Sequence, residues 1–152
     1  MTDGETKTMP YSLFHNYFPD IAERETRTVT VFENSKFNLP PAQYYFLEMF
    51  CDEPGCDCRR AFFTVKSSLQ KDIKAVIAWG WETPEFYAKW MGDNDPLIIR
   101  DLIGPTLNLG SPQSKLAPAL LDVFRTVLLE DAVFVNRIKR HYAMFRKKID
   151  NK

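Results

Sequence analysis

Three runs decide the fold of this chain: Tyr44-Tyr45-Phe46-Leu47-Glu48-Met49-Phe50-Cys51, Ala61-Phe62-Phe63-Thr64-Val65-Lys66 and Ala75-Val76-Ile77-Ala78-Trp79-Gly80-Trp81. Each is short, rich in aromatic and β-branched residues, and bounded by turn-forming residues, which is the pattern of a strand. The connections between them are too short for crossover helices, so the strands pair as hairpins in an antiparallel meander. Working outward, Thr26 to Phe32 reads as a further strand before the turn Asn34-Ser35-Lys36, and Leu39-Pro40-Pro41 breaks the chain.

Downstream the pattern turns helical. Thr83-Pro84-Glu85 places an N-cap before a proline at the first helical position and opens a helix from Pro84 to Met91. Asp95-Pro96 repeats the device before Leu97 to Leu102, and Gly104-Pro105 ends that helix. A polar loop over Thr106 to Gln113 leads to a helix expected from Ser114 to Glu130, with Pro118 in its first turn. Asp131 caps a last helix running to about Ile149. At 100° per residue, Phe134, Ile138, His141, Tyr142, Phe145 and Ile149 fall on its apolar side. Strands followed by helices give an α+β fold: an antiparallel four-stranded sheet in the first half, packed by helices from the second. Residues 1–10 read as a disordered polar tail, and 11–152 as one domain.

The chain has 152 residues, 45% of them hydrophobic and 14% aromatic. That is enough to build a core without metal or disulfide support. Lys+Arg and Asp+Glu are twenty each, which argues against bulk electrostatic binding to nucleic acid or membrane. No apolar run is long enough to span a bilayer, so no membrane partner is expected. The start of the chain lacks the pattern of a signal peptide, and three cysteines cannot all pair, so a reducing, cytoplasmic compartment is expected.

All three cysteines lie in one short stretch, Cys51-Asp52-Glu53-Pro54-Gly55-Cys56-Asp57-Cys58, followed by Arg59-Arg60. Pro54-Gly55 turns the chain so that Cys51 approaches Cys56 and Cys58, whose side chains face the same way in an extended segment. Three soft thiolates converging on one point suit zinc, and they leave one tetrahedral position open. Iron–sulfur clusters usually take four cysteines, and the H-x-E with P-C-x-x-C of zinc deaminases and the H-E-x-x-H of zinc proteases are absent. His141 is the first candidate for the fourth ligand, although a lone histidine on an apolar helix face is ordinarily a core residue. His15, Asp52, Asp57, water or a partner's ligand are the others. Glu48, Asp52, Glu53 and Asp57 surround the cysteines, where acids also serve simply to solvate a loop.

Three further segments carry weaker signals. Ser111, Gln113, Ser114 and Lys115, before a helix N-terminus, are candidates for holding a small ligand, or equally for capping and turn roles. Trp81, Phe86, Tyr87 and Trp90 offer stacking surfaces, or pack a helix on the sheet. The basic end of the last helix suits RNA, or merely solvates the helix and complements its dipole.

Phe50 to Arg60, together with Ala78-Trp79-Gly80-Trp81-Glu82 and Leu109-Gly110-Ser111-Pro112-Gln113-Ser114-Lys115, resembles an uncharacterised bacterial family of unknown function with a CDxxxCDCRR cysteine cluster. The resemblance spans roughly Tyr44 to Phe145. It implies a metal site and supplies no activity. The expectation is a zinc-binding module with a structural Cys51, Cys56, Cys58 site, completed by His141, that engages an as yet unknown protein or small-molecule partner. An enzyme using the open zinc position is the alternative, and RNA binding through the last helix is another, with nucleic acid the less favoured partner.

Overall fold

The computed structural model describes residues 10–151. The tail expected at the start of the chain lies, apart from Pro10, outside those residues. Pro10 itself is tied in, its carbonyl accepting from the Asp52 amide at 2.8 Å.

The expected meander is present. β2 (Arg27–Val31), β3 (Ala42–Cys51), β4 (Arg60–Ser67) and β5 (Ala75–Gly80) pair antiparallel in succession. The sheet has six strands, however, rather than four. β1 (Tyr11–Leu13) adds beside β3, with Tyr11 opposite Cys51 and Leu13 opposite Met49, and β6 (Thr106–Leu107) adds beside β5. Runs of three and two residues are too short for a period-two pattern, so neighbours already in place define these strands. A helix that the sequence does not announce, α1 (Pro19–Glu25), joins the β1 region to β2.

The two expected Pro-opened helices form as read. In α2 (Pro84–Met91) the Thr83 hydroxyl accepts from the Phe86 amide, and in α3 (Pro96–Ile103) the Asp95 carboxylate accepts from Leu97. The helix expected from Ser114 begins later, as α4 (Ala117–Val123), and widens into a π turn over Phe124–Leu128. Ser114 stays outside because its hydroxyl is used otherwise, donating to the Lys74 carbonyl and accepting from Leu116. α5 (Ala132–Asp150) is capped by Asp131, as expected.

Register sorts the side chains. Tyr44, Phe46, Glu48 and Phe50 of β3 lie level with Ser67, Val65, Phe63 and Ala61 of β4 or alternate with them on one face, and Ala75, Ile77 and Trp79 of β5 continue that face. α4, the π turn and α5 cover it. Phe124 meets Phe63 with centroids 4.9 Å apart, Phe134 meets Phe63 at 5.9 Å, and Phe145 meets Phe50 at 5.5 Å. Burial of such aromatic side chains, each worth about 1.5–3 kcal/mol, is the main source of stability. On the opposite face α2 and α3 close over the β4–β5 end. Gly80 allows this: a Cβ there would collide with the Tyr87 hydroxyl and stand 2.8 Å from the Leu102 carbonyl.

Candidate functional site

β3 delivers Cys51 to the end of the sheet, and the chain then turns through Gly55, whose φ of +77° suits glycine. The returning segment reaches β4 through Arg59, which takes a positive φ of 50°. This turn brings the three thiols together. The three thiols act on one another: Cys58 and Cys56 draw the Cys51 thiol down, and Cys51 pushes theirs up. All three are free thiols, with Cys51 and Cys58 each 5% exposed and Cys56 half-buried.

Backbone amides support the sulfurs in a regular pattern. The Glu53 amide lowers the Cys51 thiol, the Cys58 amide that of Cys56, and the Arg60 amide that of Cys58, each from two residues further on. Fixed dipoles of this kind stabilise negative charge on sulfur, and the Arg146 guanidinium adds to that effect at Cys56. The Cys58 thiol, the Glu53 amide and the Cys56 thiol together outweigh burial at Cys51 and hold its thiol down to about 6. Cys58 is pushed well up because its proton is committed to Cys51 and because it is buried. Burial is the main cause of the upward shift at Cys56.

The last helix clamps the outside of the turn. The Arg146 guanidinium donates to the Cys51 carbonyl and, at 2.8 Å, to the Glu53 carbonyl. The Asp150 carboxylate accepts from the Gly55 amide at 2.8 Å and pairs with Arg146 at 2.9 Å. The Tyr142 hydroxyl accepts from the Arg59 amide at 3.0 Å and donates to Asp57 at 3.2 Å. Tyr142, Arg146 and Asp150 recur every four residues, so one stripe of α5 holds the turn while Phe134, Ile138 and Phe145 pack on the sheet.

His141 does not join the thiols. Its Nδ1 lies 2.6 Å from Glu48 Oε1 and its Nε2 2.6 Å from Glu25 Oε1, so both ring nitrogens are occupied. Glu48 precedes Cys51 by three strand residues, about 10 Å. The ring is fully buried and stacks on Phe14 with centroids 4.2 Å apart. The fourth-ligand expectation for His141 is therefore corrected. Glu48 is likewise not a solvating acid of the loop, because the even positions of β3 face the core. His15 follows β1 at the end remote from Cys51 and is exposed. Asp57 bonds to Arg59 and Tyr142, and Asp52 accepts from the Ser12 hydroxyl.

The other candidates are placed as follows. Gln113 accepts from the Val76 amide at 3.0 Å and donates to the carbonyls of Val76 and Asn108 at 2.9 and 3.1 Å. It stands in for a strand on the free edge of β5. Ser111 accepts from the Asn108 amide group, Ser114 is committed to Lys74 and Leu116, and Lys115 is exposed. The loop's polar groups are those of a turn stitched onto the sheet. Tyr87 is buried, Phe86 lies under the Arg59 guanidinium, and Trp90 is partly exposed. In the basic helix, Arg137 and Arg140 bind the Glu25 carbonyl and carboxylate, and Arg146 binds the cysteine turn.

Among the described residues no group of three or more His, Cys, Asp or Glu side chains is disposed as a ready metal cage. The donor set itself fits a soft divalent ion: three neighbouring cysteines, each with its thiol lowered by a backbone amide. Among the described residues no helix is long and apolar enough to cross a membrane. No family model matches the chain, and neither does any curated protein or solved structure.

Proposed function

We propose that this chain is a zinc-binding module, with Cys51, Cys56 and Cys58 as the ligands, acting as a binding or adaptor domain. The observation that carries the reading is the convergence of three free cysteines on one turn at the end of β3, with a backbone amide lowering each thiol. A bound zinc would neutralise the thiolates and tie the end of β3 to the start of β4. With His141 occupied, His15 remote, and Asp52 and Asp57 otherwise bonded, the fourth position falls to water or to a group from outside the chain. A partner's side chain seated there would make the turn a docking point. Free thiols of this kind are maintained in a reducing compartment such as the cytoplasm.

Metal analysis of protein purified under reducing conditions without chelator tests the reading. About one zinc per chain is expected, lost in Cys56→Ser and Cys58→Ser variants that remain folded. Freshly reduced protein that holds no stoichiometric metal sinks it. The lowered Cys51 thiol beside Cys58 favours one second reading, a thiol pair that cycles to a disulfide. Metal-free protein isolated with a Cys51–Cys58 disulfide would establish that reading instead.

A further inference from the structure

β1 pairs with residues 49–51 of β3, and β2 with residues 42–46. Leu47 and Glu48 fall in the gap between the two strands. A cavity of about 280 Å³ opens there, lined by Leu13, Phe14, His15, Ala22, Thr26, Leu47 and Glu48. At the liquid volume of about 30 Å³ per water, it has room for roughly nine waters or a molecule of similar size.

Glu48 is the inner end of a hydrogen-bonded chain. The Glu25 side chain is 28% exposed, His141 0% and Glu48 2%, with 2.6 Å at each link. Two such contacts require two protons. Either an imidazolium stands between two carboxylates, or a neutral imidazole donates from Nε2 to Glu25 and accepts at Nδ1 from a protonated Glu48. The two forms hold the same number of protons and the same net charge, and they differ only in where one proton sits along a single short bond. In both, Glu48 Oε1 is committed to Nδ1, so Oε2 meets a ligand as an acceptor.

The partner must therefore bring a donor. A cationic donor is favoured over a neutral one, because it stabilises the ionised carboxylate and draws the shared proton onto His141. Of the other groups, Arg140 pairs with Glu25 at 2.9 Å, Arg137 binds the Glu25 carbonyl at 3.1 Å and also acts on Glu48, and His15 stands in the cavity wall. Phe14 has one face on His141 and stacks with Phe18 at 4.9 Å, so the rest of the apolar wall comes from Leu13, Ala22 and Leu47.

We propose that this cavity binds a small molecule whose primary ammonium group meets the Glu48 carboxylate and whose short apolar body lies against Leu13, Ala22 and Leu47.

The probes are benzylamine and its neutral counterpart benzyl alcohol, titrated into the ¹⁵N-labelled full chain. Benzylamine is expected to shift the amides of Leu13, Ala22, Leu47 and Glu48 saturably in the millimolar range, at least about tenfold more tightly than the alcohol. Glu48→Gln is expected to weaken binding by at least about tenfold. Leu47→Trp, at a half-buried position outside the hydrogen-bonded chain, is expected to fill the cavity and abolish the shifts even if Glu48→Gln does not fold. Absence of saturable shifts, equal affinity for amine and alcohol, or binding retained in Leu47→Trp would overturn the proposal.

Discussion

Arg146→Met tests whether the last helix holds the cysteine turn. The side chain is 10% exposed, and its guanidinium serves the Cys51 carbonyl, the Glu53 carbonyl and Asp150. Methionine keeps much of the packing and removes the donors. Glu53 is exposed, so water replaces the lost bond there at little cost. Cys51 is buried, and a buried carbonyl deprived of a charged donor costs about 1–3 kcal/mol. The pair with Asp150, spaced i to i+4 at the surface, adds about 0.3–0.5 kcal/mol. With a small remainder from Glu53, the loss comes to about 1.5–3.5 kcal/mol. For a chain of this size that lowers Tm by about 3–14 °C. Urea and thermal unfolding followed by circular dichroism measure it, and the rate of thiol labelling at Cys51 should rise in parallel as the turn loosens. A loss under about 1 kcal/mol with unchanged labelling would show that the turn holds itself and that the clamp is incidental.

Gly80→Ala is expected to destabilise by about 1–3 kcal/mol or more, read by the same unfolding curves, because the new methyl meets the Tyr87 hydroxyl and the fixed Leu102 carbonyl. Gln113→Ala should cost about 1–2 kcal/mol by exposing the Val76 edge, while zinc stoichiometry stays as in the parent chain; loss of a bound ligand without loss of stability would reverse that assignment. The bond from His141, assisted by Arg140, holds the Glu25 carboxyl below its ordinary value of 4.5. A depressed acid contributes stability that is present above that value and lost as pH falls below it. The stability gap between the parent chain and Glu25→Gln should therefore be widest at neutral pH and narrow below about pH 4, measured by urea unfolding at each pH. Glu48 has the opposite sign: burial raises its carboxyl, so its contribution improves as pH falls toward the ordinary value.

Much of this was legible in the sequence, for physical reasons that can be named. The central strands β2 to β5 carry enough β-branched and aromatic residues to identify themselves, and Thr83-Pro84, Asp95-Pro96 and Asp131 state where α2, α3 and α5 begin. The turn at Pro54-Gly55 announced that Cys51, Cys56 and Cys58 would meet, and they do. These are local signals, fixed by residues a few positions apart. β1 and β6 were not legible, because strands of three and two residues exist only where a longer neighbour offers an edge. Nor could the sequence choose a partner for His141. That depended on the parity of Glu48 along β3, on α1 bringing in Glu25, and on the register of α5 against the sheet. The same register puts Arg146 over the Cys51 carbonyl, 95 residues away along the chain. Spacing and residue type determined the elements and gathered the thiols. Only tertiary packing decided which side chains meet across them, because such contacts depend on the relative placement of whole elements, which no local pattern encodes.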